Sequence, residues 1–165
     1  MDLLWRLFNR VMEKLFEGFP NLHPLVVHFP IVLLLLALLS QVVAVCYSRY
    51  RLELNILTFI LLFLGTIGAF AAIQTASHIS GDADEEVFAV FDIHQRYAWI
   101  SFWLAGITTV VRLVALRWSK VIWTNYLIVV LLISLSVTLF ITGHHGARLV
   151  YQYGVGPKNN GVLMK

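Results

Sequence analysis

Four long runs of apolar residues, each edged by charges, proline or glycine, set the pattern of this chain. They cover residues of about 24–47, 54–78, 94–116 and 121–144. The core of each reaches the roughly 20 apolar residues needed to cross a hydrocarbon slab of about 30 Å. Ahead of them, residues 1–19 repeat apolar side chains at Leu4, Phe8, Val11 or Met12, Leu15 and Phe19. Arg6, Asn9, Arg10, Glu13, Lys14 and Glu17 fill the other face. That period predicts an amphipathic helix lying in the membrane interface, ended by Gly18 and Pro20. A cleavable signal peptide fits less well, because charges break the apolar segment and no small-residue cleavage site follows. The expected fold is an all-α membrane protein. A four-transmembrane-helix bundle over residues 21–156 follows the N-terminal amphipathic interfacial helix at 1–19 and precedes a tail at 157–165.

Within the spans, polar and small residues fall at helical spacing. Pro24 suits a first helical turn, whereas Pro30 lies inside the first span and should free the carbonyl of Val26. Gly65, Ala69, Ala72 and Ala76 make a small-residue stripe in the second span, where close helix contact is the commonest use of such a stripe. Gln74 and His78 share a face there. His94, Ala98, Ser101, Ala105 and Thr108 line the third span. Ser134, Thr138, Thr142 and His145 line the fourth. Residues 80–92 read as an acidic loop, solvated or able to dock a basic partner such as a soluble cytochrome.

Composition agrees with the pattern. Of 165 residues, 59% are hydrophobic and 13% charged, and the mean hydropathy is +0.81, where soluble domains stay near half apolar. The size suits one bundle without a separate soluble domain. Cys46 is the only cysteine, so there is no disulfide framework, no CxxC knuckle and no covalent haem-attachment motif. The net charge of +3 matters less than its placement. Arg49 and Arg51 fall between the first two spans, and Arg112, Arg117 and Lys120 close the third. Basic turns stay in the cytoplasm, so both chain ends face outward. The basic residues of the amphipathic segment argue mildly the other way.

That orientation gives the candidate chemistry. The six histidines are His23, His28, His78, His94, His144 and His145, and all then fall at the outer, periplasmic end of the bundle. Ionisable side chains within spans point to function by default, and neutral imidazole is the commonest metal ligand. Facing helices of a bundle can hold a haem or metal between them. The expected haem b ligands are His28 with His94, and His78 with His144 or His145, for one or two haems. The alternative is a copper, zinc or iron ion held by His28, His94, His145 and His78. No Glu-x-x-His pair supports a carboxylate-bridged di-iron centre. Adjacent residues point about 100° apart on a helix, so one of His144 and His145 faces inward; His145 shares the Ser/Thr stripe. His23 reads chiefly as an interfacial capping residue. Arg148 could neutralise a haem propionate, a quinone carbonyl or an anionic lipid, or simply snorkel to the interface. No nucleophile–base pair or phosphate loop appears, and the scattered basic residues give no nucleic-acid surface.

Two motifs add a resemblance. The first span opens with His23-Pro24, then His28-Phe29-Pro30-Ile31. The fourth ends with His145-Gly146, then Leu149-Val150-Tyr151 and Gly154-Val155-Gly156. Together they resemble the DUF2231 family of predicted bacterial inner-membrane proteins, over about residues 21–156. The family usually has Gly-Gly where this chain has Gly146-Ala147. Some relatives are fused to cytochrome c or Rieske modules, which implies electron transfer near the outer face. The expected function is a small haem b protein passing electrons between membrane quinol and a periplasmic acceptor, or a subunit of a larger redox complex. A bare metal site and a non-catalytic structural subunit are the alternatives.

Overall fold

The structure is a computed structural model that describes residues 23–76, 79, 83–117 and 122–155. The amphipathic segment, His78, Lys120 and the tail at 157–165 lie outside the described residues. Among the described residues the elements are four helices, α1 (His23–Cys46), α2 (Arg51–Gln74), α3 (Glu85–Arg117) and α4 (Trp123–Tyr151), with a 3-10 turn, Ser48–Tyr50, between the first two. All four are long and apolar enough to cross a membrane. Each packs along two neighbours, α1 on α2 and α4, and α3 on α2 and α4, so α1 and α3 stand diagonally across the bundle.

The four helices are inverted relative to a soluble bundle. The outer faces carry exposed Phe140, Trp103, Val130 and Leu39, which suits contact with lipid. The inner stripes mix a core of Leu34, Leu62, Ile128, Leu132 and Leu135 with small or polar residues: Ala37, Ser40, Gln41 and Ala44 on α1; Asn55, Thr58, Gly65 and Gly68 on α2; Ser101, Ala105, Thr108 and Arg112 on α3. In lipid there is no hydrophobic drive between helices, so close packing and interhelical hydrogen bonds hold them. Ser40 Oγ donates to Leu54 O at 3.0 Å. Thr66 and Thr109 share a bond of 3.1 Å, and Ser101 Oγ donates to Thr138 Oγ1 at 2.9 Å. Such bonds average about 0.6 kcal/mol each. Gly65 and Gly68 allow the approach of α1: Gly65 sits under Leu34, and Gly68 under Phe29 and Pro30. Helix α1 runs continuously through Pro30, which is buried.

Two boundaries differ from the sequence reading. Helix α3 begins at Glu85, so residues 85–92 of the acidic stretch are helical rather than loop. Val87 and Val90 carry the buried stripe on toward His94, and that period outweighs the charges between them. At 33 residues, α3 is about 50 Å long, well beyond the hydrocarbon thickness of about 30 Å. Helix α4 likewise runs to Tyr151. The overhanging ends pack on each other through Val87, Val90 and Leu149, with Phe91, Tyr153 and Val155 against them. Ser134 is exposed and bonds back to Val130 O, so only Thr138, Thr142 and His145 of the expected stripe turn partly inward.

The Gly-Val-Gly motif has a local cause. After α4 the chain turns back so that Val155 N–H donates to Leu149 O at 2.8 Å, and Gly154 takes φ 64° to allow it. A Cβ is disfavoured there. Gly154→Ala is expected to lower stability by about 1 kcal/mol, with Gly154→Asn tolerated better, as read by thermal unfolding in detergent.

Candidate functional site

The chain places the starts of α1 and α3 beside the ends of α2 and α4. His23 Nδ1 donates to Ala72 O of α2 at 2.7 Å, with Thr75 Oγ1 at 3.4 Å. His94 Nδ1 donates to Thr142 O of α4 at 2.9 Å. His145 Nδ1 donates to Ile141 O at 2.9 Å, and His28 Nδ1 to Pro24 O at 2.5 Å. A carbonyl oxygen only accepts, so each of these rings carries its proton on Nδ1. In the neutral ring, Nε2 then keeps its lone pair. Metal-ligating histidines are usually oriented in this way by their second ring nitrogen.

Two of these rings meet. His23 and His94 meet edge to face across the bundle diagonal, with ring centres 6.4 Å apart and planes at 83°. His145 comes from a third helix and turns its ring back onto Ile141 O of its own turn. The Thr142–Gly146 turn of α4 wraps the His94 ring: Thr142 O takes its proton, and Gly146 lies so close that an added Cβ would stand 3.1 Å from Cε1 and 3.2 Å from Nδ1. Gly146→Ala is therefore expected to push His94 off its carbonyl. If a metal is bound there, retention should weaken about tenfold with little change in melting temperature, measured as metal per protein.

The remaining candidates stand apart. His28 is exposed and folds onto its own turn, so the ring that meets His94 is His23 and not His28. His144 is exposed, with its ring 5.4 Å from that of His145; of the adjacent pair, His145 is the one turned inward. Among the described residues, no three His, Cys, Asp or Glu side chains stand close enough to hold an ion. Arg148 is committed to the overhang. Its Nε donates to Gln152 Oε1 at 3.0 Å and its Nη2 to Tyr153 Oη at 3.3 Å. Tyr153 donates in turn to Glu86 Oε1 at 2.7 Å, a bond that raises the phenol above its ordinary pKa.

The structure turns His23 and Arg112 inward, where the sequence reading has a capping residue and the close of a basic turn. Both signals were present. The buried stripe Pro30, Leu34, Ala37, Gln41 and Ala44, extended back seven residues, reaches His23 and misses His28. The stripe from His94 to Thr108, extended by four, reaches Arg112, which is 1% exposed. No curated protein and no solved structure matches the chain. The profile of a family described as predicted membrane protein (DUF2231) matches residues 19–159, which span all four helices and every histidine. The chain therefore belongs to the DUF2231 family of membrane proteins.

Proposed function

We propose that the protein holds a redox-active metal centre at the histidine end of the bundle and passes electrons at that membrane face, with His23 and His94 as the gripping pair. The observation behind this reading is the meeting of two imidazoles from diagonal helices, each anchored through Nδ1 by a carbonyl oxygen of a neighbouring helix. Two imidazoles taking one iron on opposite sides, at metal–nitrogen bonds of about 2 Å, would stand roughly 6 Å apart centre to centre. The observed separation is 6.4 Å, and because the rings meet edge to face, ligation would require one ring to turn until both Nε2 atoms face the iron. Bound there, haem b iron would supply the one-electron couple. The chain would contribute the ligands, their orientation by Ala72 and Thr142 carbonyls, and a dry surround. With the basic turns in the cytoplasm, the centre faces the periplasm of a bacterial inner membrane. Membrane quinol would be the donor, and a periplasmic cytochrome or a larger redox complex the acceptor.

A second reading keeps the site and changes the cargo. The His23–His94 pair would then take a bare copper, zinc or iron ion, with His145 of the third helix joining only if the rings draw closer together, since no three such side chains now stand close enough to hold an ion among the described residues. The test is a reduced-minus-oxidised spectrum of the purified protein, taken with elemental analysis. A haem b α-band supports the first reading. Stoichiometric copper, zinc or non-haem iron without that band supports the second. Absence of both leaves a structural subunit of a membrane assembly.

A further inference from the structure

Arg112 is the bulkiest side chain that the bundle closes over, at 1% exposure. Its Nη2 donates to Gln41 Oε1 of α1 and, at 3.1 Å, to Asn125 Oδ1 of α4. Gln41 Nε2 points in turn at Asn125 O and Oδ1, 3.4 Å from each. Gln41 is 0% and Asn125 6% exposed. Both partners are neutral, and the buried Nε of Arg112 has no hydrogen-bond partner among the described residues. A guanidinium keeps its charge at any accessible pH. Closed inside a membrane bundle without an anion, it is strongly destabilising, and charges within spans mark function by default. At 1.5 Å per residue, Gln41 and Arg112 lie about 7 Å inside their helix ends, and Asn125 about 3 Å. This polar layer sits just beneath the end that carries Arg49, Arg51 and Arg117, opposite the histidines. Clustered cations raise the local concentration of anions.

We propose that Arg112 binds an oxyanion, a phosphate group that enters between the helix ends from the basic face. Gln41 and Asn125 occupy Nη2, and the unpartnered Nε donates to a phosphate oxygen. The phosphate belongs either to an anionic lipid headgroup or to free phosphate. This site is independent of the metal reading.

The test measures the melting temperature of the delipidated full-length protein with inorganic phosphate, with phosphatidylglycerol, or with uncharged diacylglycerol. The wild type should melt several degrees higher with a phosphate-bearing ligand and not with diacylglycerol. A response to inorganic phosphate identifies the free anion, and a response to phosphatidylglycerol alone identifies the headgroup. Arg112→Gln should abolish the response. Gln41→Glu supplies an internal carboxylate of the same shape. It should fold, melt no lower than the untreated wild type, and also lose the response, so the test stands even where Arg112→Gln fails to fold. A wild type indifferent to both ligands, or a Gln41→Glu protein that responds as the wild type does, overturns the proposal.

Discussion

Replacing His94 with alanine is expected to strip the metal centre from the purified protein while leaving the four-helix bundle assembled. His94 is held from three sides: by His23 across the diagonal, by the Thr142 carbonyl, and by the backbone of Gly146. Loss of one of two opposing ligands should weaken metal retention by more than about 100-fold, beyond the about 10- to 100-fold range seen when only a ligand's outer partner is removed. His23→Ala should do the same, and His28→Ala should do much less, because His28 is exposed and bonds only within its own turn. The checking measurements are metal content and visible absorbance, with helix content by circular dichroism as the control. Equal loss from His28→Ala and His94→Ala would contradict the assignment of the pair.

The largest stability effect is expected at Gly65. A Cβ built there stands 2.7 Å from Leu34 Cδ2 and 2.8 Å from Leu34 Cγ, with Leu33 Cβ at 3.5 Å. Leu34 is buried at 1% exposure, so its side chain has little space to give. Overpacking of this kind typically costs about 1–3 kcal/mol. Gly65→Ala belongs at the low end, and the branched Gly65→Val at or above about 3 kcal/mol, because it pries α1 from α2. Unfolding titrated by denaturing detergent reads the difference. Gly106 is the internal control: its added Cβ meets only Thr66 Cγ2, at 4.0 Å, so Gly106→Ala should be near neutral or slightly stabilising.

The fold was legible because the bilayer leaves few choices. Long apolar runs must become helices there, and the small-residue stripe at Gly65 and Ala72 does lie at the α1–α2 contact. The acidic stretch misled because charge suggests a loop, while Val87 and Val90 continue the helix of α3 past the lipid onto α4. At the histidine end, charge and depth along each run were legible, and rotation about the helix axis was not fully used. His28 and His23 lie at similar depth but 140° apart by helical rotation, at about 100° per residue, and only the buried stripe of α1 decides between them. Arg112 was read as the close of a basic turn because it lies near Arg117. Its phase, and not its position along the chain, turns it into the core.

The most direct test of the metal-binding claim is X-ray absorption at the edge of whichever transition metal copurifies with the protein. The account predicts scattering from at least two imidazole nitrogens at about 2 Å, and its loss with His94→Ala. A first coordination shell without imidazole, or a protein free of stoichiometric transition metal, would contradict it.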